Sequence, residues 1–473
     1  MFLEVIVMFE QKNAIESLKE GLFYNSKHVC EAVGESEINA ADDFSEGYKE
    51  YMNEGKTERE SVCYFEEKAK NAGFVEFDAN AKYVAGDKVY YNNRGKSIIL
   101  AVIGRRSIAS GAKIAAAHID SPRLDLKPNP LYEDSEMALF KTHYYGGIKK
   151  YQWTAIPLSI HGVVVKGDGE KVFVRIGEDE GDPQFVITDL LPHLASEQNK
   201  RSLPDGIKGE ELNILVGSRP FSKDEGSEKV KLNILKILNK KYGITETDFL
   251  SAELEIVPAF KATDIGFDRS LIGAYGHDDK CCAYPAAEAI LGVENPEYTA
   301  VTILTDKEEI GSVGNTGLHS SYLKYFIADL AAMQGVEPWV ALRNSECLSA
   351  DVNSAYDTTF ADVFEKRNSS QINHGVVITK YTGARGKSGS SDASAEYMGR
   401  IRKMLDENGI VWQIGELGKV DIGGGGTVAQ YIADLDIDVV DLGIPVLSMH
   451  APFEVIAKTD LYMAYRAFSV FFK

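Results

Sequence analysis

Unbroken apolar runs, set among helical patterns, constrain this chain more than any other feature. Residues 97–104 (SIILAVIG), 112–120 (AKIAAAHID) and 298–306 (YTAVTILTD) are apolar along most of their length. A strand of that kind has no solvated face, so it belongs inside a sheet covered on both sides. Further strand patterns in HGVVITKYTG and VVDLGIPVLSMH alternate with helical ones in HSSYLKYFIADLAAMQG, DASAEYMGRIRKMLDENG and TDLYMAYRAFSVFF. Strand and helix in alternation predict an α/β fold, with a central, mostly parallel sheet and helices on both faces. In such sheets ligand sites gather at strand ends.

The texture changes between residues 123 and 262. IHGVVVKGDGEKVFVRIG reads as a hairpin turning at Gly167-Asp168-Gly169, and the one clear helix signal is 229–243. The expected organisation is therefore an α/β domain of residues 1–122 and 263–473, interrupted by a β-rich insertion of 123–262. At 473 residues the chain is long enough for both. Near the start, Ile15, Leu18 and Leu22 fall on one helix face, and a charged helical stretch follows at 40–72. A helix is also expected after Asp278-Asp279, with Pro285 limiting where it starts. No internal repeat is visible.

A net charge of −20 and a pI near 5.0 argue against nucleic acid as a main partner, which needs a basic patch. The opening MFLEVIVMF is interrupted by Glu4 and lacks the basic flank of a signal peptide. No run approaches the roughly 18 residues of a membrane span. Five cysteines at irregular spacing fit a reducing cytoplasm, and the adjacent Cys281 and Cys282 read as core residues.

Five segments carry chemistry: AAAHIDSP (His118, Asp120), YGHDDKCCA (Asp278, Asp279), LTDKEEIGS (Glu308, Glu309), LSADVNSA (Asp351) and LSMHAPFE (His450). Taken singly, each has a plain explanation as a satisfied core histidine, a helix cap or a solvated acidic loop. Taken together, they supply two imidazoles and enough carboxylates for two bridged divalent ions and a free base. His118 and Asp120 share one face of an extended strand, so Asp120 can support the imidazole. Asp278 is the better candidate for a bridging carboxylate and Asp279 for the helix cap, an assignment that stays open at this level. Of the adjacent glutamates, one can hold metal while the other reaches a water.

These segments, with HIDSPRLDLKP, the Tyr145-Gly146-Gly147 step and the Ser448-Met449-His450 segment, resemble the aspartyl and vacuolar aminopeptidase family of di-zinc exopeptidases over nearly the whole chain. The resemblance implies a zinc exopeptidase fold, with His118, Asp278, Glu309, Asp351 and His450 as ligands of two zinc ions. Cobalt or manganese would also suit this ligand set. Asp278 would bridge the ions, Glu308 would be the general base and Asp120 would support His118. The implied reaction is release of N-terminal amino acids from peptides by a zinc-activated hydroxide, with acidic first residues as a preference. The implied assembly is a tetrahedral dodecamer built from dimers, in which the insertion makes the dimer contacts. Where the aspartyl type carries a histidine that reaches the neighbouring site, this chain has Glu197, leaving His193 as the candidate. Lys387, in the loop with Arg385, and Gly424, in the Gly423–Gly426 run before Thr427, are the remaining substrate-binding candidates. A deacylase or carboxypeptidase on a related fold and a metal-poor assembly or cargo protein are the rival readings.

Overall fold

The computed structural model describes residues 15–19, 21–222 and 226–473; the opening run through residue 14 lies outside the described residues. A nine-stranded sheet runs in the order Val75–Glu76, Lys88–Asn93, Ser97–Val102, Thr299–Thr305, Ala112–His118, Glu346–Ser349, Asp438–Gly443, Val376–Thr379, Trp412–Ile414. Its centre is parallel. Thr299–Thr305 and Glu346–Ser349 flank Ala112–His118, and Asp438–Gly443 continues in the same direction. Antiparallel pairings occur only toward the two sides.

Side-chain alternation explains why these runs are apolar throughout. Ile98, Leu100, Ala115, Ala117 and Leu304 pack into one core with the helices Glu35–Glu54, His277–Leu291 and Lys458–Phe471. Ile99, Ala101, Ile114, Ala116 and Ile303 face the opposite core, against Tyr322–Met333 and Pro338–Arg343. Each strand is covered twice and needs two apolar faces.

Residues 123–258 build a second, six-stranded sheet that is antiparallel throughout, and its hairpin turns between Leu158–Val165 and Lys171–Ile176. It has a core of its own around Trp153, Ile214, Ile256 and Phe249, closed by the helix Lys229–Tyr242.

Three local expectations change. The charged stretch at 40–72 is two helices, Glu35–Glu54 and Glu58–Asn71, parted at Gly55 and restarted by a capping box between Thr57 and Glu60. Pro285 does not limit its helix, which runs to Leu291 with the proline inside it, after a break in helical geometry at Asp278 and Asp279. Nearly every residue of that segment is buried, and burial outweighs the proline's roughly 3 kcal/mol penalty. Near the start, Ile15, Leu18 and Leu22 are helical but exposed, so their shared face packs on nothing among the described residues.

Candidate metal centre

The central strands end together and bring the scattered segments to one place. His118 closes Ala112–His118. Glu308 and Glu309 form a single 3-10 turn shortly after Thr299–Thr305, entered through Lys307 in a left-handed conformation. Asp351 follows Glu346–Ser349. Asp351 can sit there because Gly443 on the next strand has no side chain: a Cβ would lie 1.7 Å from the Asp351 carbonyl oxygen. His450 arrives on a loop beyond Pro445–Val446, itself in a left-handed conformation.

Asp278 lies at the middle. Its Oδ1 is 3.2 Å from His118 Nε2 and its Oδ2 is 3.2 Å from His450 Nε2. Glu309 Oε1 is 3.4 Å from His450 Nε2, and Glu308 Oε2 is 3.9 Å from His118 Nε2. Ligand atoms of His118, Asp278 and Asp351 lie within 4.8 Å of one another, as do those of Asp278, Glu309 and His450. Both imidazoles are oriented through the other nitrogen. His118 Nδ1 contacts the Asp120 carbonyl at 3.0 Å, and His450 Nδ1 contacts the Gly147 carbonyl at 2.8 Å. Each Nε2 is thereby left to face the centre.

Asp120 does more than the sequence suggests. Its carboxylate accepts the backbone N–H groups of Glu308, at 3.1 Å, and Glu309, at 3.2 Å, and the Tyr145 hydroxyl at 2.8 Å. It therefore clamps the glutamate turn as well as flanking His118.

Burial opposes every charge here, and neighbours decide the outcome. Burial lowers His118, but Asp120 and Asp278 more than offset it and hold the imidazole well above its usual value. Burial also lowers His450, and Asp278 and Glu309 then lift it to about 10. Asp278 is raised by burial yet drawn below the carboxylate range by the two imidazoles. Burial carries Glu308 up to about 7 against the pull of His118. Burial, with Asp278 beside Glu309 and Asp279 beside Asp351, pushes both carboxyls well above their usual range. Asp278 Oδ1 and Glu309 Oε1 are buried acceptors without a well-formed hydrogen bond. Concentrated buried carboxylates and two Nε2 atoms turned toward them fit divalent cations with a nitrogen and oxygen ligand set.

Asp279, the expected helix cap, makes no cap hydrogen bond, because both of its carboxylate oxygens are buried without one. It lies near Cys281 and Cys282, both of them core residues as expected. Burial pushes Cys281 up to about 12 and Asp279 well above its usual value.

A cavity of about 550 Å³ opens over the centre, with Asp278, Glu308, Glu309, Asp351 and His450 in its wall; His118 and Asp120 stand behind it. Gly424 lines this cavity. Lys387 lines a smaller adjoining one of about 50 Å³, where it pairs with Asp392 at 2.8 Å and lies over the Tyr381 ring. His193 is exposed on the turn Pro192–Leu194 and does not line the cavity of its own chain. Sequence reasoning missed Glu454, buried and bonded to the backbones of Asp278 and His450; the only signal was its place four residues after His450.

Residues 51–472 match the family model for aminopeptidase I zinc metalloprotease (M18). A Clostridium acetobutylicum protein described as "Probable M18 family aminopeptidase 1" is 48% identical over 453 residues, 94% of this chain and 97% of its own length. The crystal structure of an M18-family aminopeptidase from Thermotoga maritima superposes with a TM-score of 0.91 at 45% identity, covering 95% of this chain and 100% of that one. The mApe1 dodecamer of S. cerevisiae, at 21% identity and a TM-score of 0.73 over 92% of this chain and 96% of its own, shares the fold. By both sequence and structure, this chain belongs to the M18 family of zinc metalloprotease aminopeptidases.

Proposed function

We propose that this aminopeptidase works with two zinc ions, one held by His118, Asp278 and Asp351 and the other by Asp278, Glu309 and His450. The observation that carries the reading is the division of Asp278, whose two oxygens face two different imidazoles. When bound, the ions would supply a Lewis acid for the scissile carbonyl and make water a nucleophile at neutral pH. The protein's part is to hold protons and substrate. Glu308, in the cavity wall with its Oε2 3.9 Å from His118 Nε2, is suited to take the proton from the attacking water and deliver it to the leaving amine. Asp120 keeps that carboxylate in place through the backbone N–H groups it accepts. The acidic wall of the cavity receives the free α-amine, which confines cleavage to the first residue.

The preferred first residue follows from the cavity wall. That wall contains no lysine or arginine, and Asp441 adds another carboxyl to it. Lys387, which an acidic preference would enlist, is held by Asp392. Neutral first residues should therefore be accepted at least as well as acidic ones.

Residues 123–262 form the inserted dimerisation and substrate-access domain, and the chain assembles as a homo-oligomer, a tetrahedral dodecamer built from dimers. Exposed Leu190, Leu191, Leu194 and Leu203 on the insertion support a protein-covered surface there. His193, on the turn Pro192–Leu194 beside them, is the residue we assign to the cavity of a neighbouring subunit. The protein is cytoplasmic, which its five unpaired cysteines support. Among the described residues no helix is long and apolar enough to cross a membrane.

The test is Glu308→Gln on protein of known metal content, assayed on free and acetylated aminoacyl-p-nitroanilides. Metal binding should survive, and turnover of the free substrates should fall by about 10²–10⁴-fold. Retained turnover would remove Glu308 as the base, and wild type that releases acetate from the acetylated substrate rather than p-nitroaniline from the free one would replace the aminopeptidase reading with deacylation.

A further inference from the structure

The two imidazoles of the centre are supported in different ways. His118 ends a strand of the nine-stranded sheet, in register with Thr305 on one side, while the other neighbouring strand pairs with it as far as Ala116. His450 has no strand beneath it and adopts a φ of +63 on a loop. Its Nδ1 contact with Gly147 fixes how the ring turns, not where the backbone stands.

Glu454 fixes the backbone. It is 1% exposed and begins the strand Glu454–Ala457, in register opposite Ala274 of the strand Leu271–Ala274. Its Oε1 accepts His450 N–H at 2.6 Å, and its Oε2 accepts Asp278 N–H at 3.1 Å. One carboxylate thus ties together the two residues whose side chains meet at Nε2 and Oδ2. Among the described residues it makes no hydrogen bond to His118 or Asp351.

We propose that Glu454 is a positioning residue for one half of the metal centre. It sets the gap between Asp278 and His450, and with it the zinc affinity of the His450–Glu309 half. The His118–Asp351 half shares Asp278 but takes its other two ligands from strand ends, so it depends less on Glu454. This rests on the two-metal reading above.

The chemistry of the fork makes the claim specific. A carboxylate offers an acceptor on each arm, and both arms are used. Glutamine keeps the shape but turns one arm into a donor facing an N–H, so one bond is lost and two donors oppose each other. Outer partners of metal ligands are worth about 10–100-fold in affinity.

The experiment is a zinc titration of the metal-free full chain against a chromophoric chelator, for wild type, Glu454→Gln and Glu454→Asp. Val455→Ala serves as a control on the same strand, and melting temperature and particle size are recorded for each. Wild type should take two ions. Glu454→Gln should keep one at near wild-type affinity, bind the other about 10–100-fold more weakly, and recover turnover in excess zinc. Equal weakening of both ions would show a general loss of structure and overturn the proposal, as would two ions bound with unchanged affinity. Should Glu454→Gln fail to fold, Glu454→Asp, which can reach only one N–H, decides by the same criteria. A wild-type chain that takes a single ion would sink the two-metal reading itself, an outcome distinct from either failure of the variant.

Discussion

Replacing Tyr145 by phenylalanine removes one hydroxyl and nothing else that packs. Tyr145 is 9% exposed, its ring carries the Arg123 guanidinium at 3.8 Å, and both features survive the change. Only the 2.8 Å bond to Asp120 Oδ2 disappears. A hydrogen bond to a charged, buried acceptor contributes about 1.5–3 kcal/mol. Asp120 retains the two N–H donors of Glu308 and Glu309, so the loss loosens the clamp without emptying it. At about 2.1 cal/mol/K per residue, the unfolding entropy of 473 residues is roughly 1 kcal/mol per kelvin, which translates the loss into a melting shift of about 1.5–3 K. If about 1 kcal/mol of it is expressed as misplacement of Glu308 in the transition state, kcat falls about fivefold. KM should hold, because Tyr145 does not line the cavity. The assay is kcat and KM on a free aminoacyl-p-nitroanilide at measured zinc content, beside scanning fluorimetry. Tyr144→Phe, at an exposed neighbour, is the control. Unchanged kcat and melting temperature would refute the clamp, and a change in KM alone would place Tyr145 in substrate binding instead.

Gly443→Ala puts a methyl group 1.7 Å from the Asp351 carbonyl, so one backbone must move; a loss of about 1–3 kcal/mol in stability and most of the activity is expected from melting and kinetic assays. Lys387→Ala should leave hydrolysis of leucyl and aspartyl substrates in nearly the wild-type ratio, and a selective loss on the aspartyl substrate would reinstate a basic selector. His161 is buried between Glu60, at 2.7 Å, and Glu178, at 3.0 Å; burial lowers its pKa, but the two carboxylates raise it above the usual value. A raised folded pKa means that its stabilisation is complete below the unfolded value near 6.5 and is lost as pH rises through the folded one. Wild type should lose melting temperature on that rise and His161→Asn should lose less, and parallel curves over about pH 6–9 would count against the ion pair.

What could be read from the sequence follows the strength of the local signal. His118 and Asp351 were legible because an apolar strand stops at them, and the sheet edge is where chemistry collects. The break at Gly55 was readable in principle from Thr57 and Glu60 but was hidden by the charge of the whole stretch. The helix through Pro285 was not readable, because its cause is burial by distant segments. Asp278 and Asp279 are alike in sequence, and only the backbone course separates the one facing the cavity from the one buried with Cys281 and Cys282. Glu454 carried no pattern at all: its role depends on a strand pairing with residues 271–274, a long-range fact.

The second sheet has its own apolar core, which by itself would let it move as a separate body. The contacts that cross to the centre argue otherwise. Tyr145, at the end of its strand, bonds Asp120, and the Gly147 carbonyl just beyond holds the His450 ring. Gly146 and Gly147 lack side chains where the approach is closest: a Cβ would lie 3.0 Å from Glu309 Oε2 at the first and 3.3 Å from His450 Nδ1 at the second. Lys56, between the two long helices, adds bonds to the carbonyls of Pro258 and Phe260 and an ion pair with Glu178. These are buried polar contacts, which are costly to break because each leaves a desolvated partner behind. Separation of the sheets would free the His450 ring to turn its Nδ1 away and would remove a donor from Asp120. Docking of the second sheet therefore orients the His450 ring and completes the hydrogen bonding of Asp120.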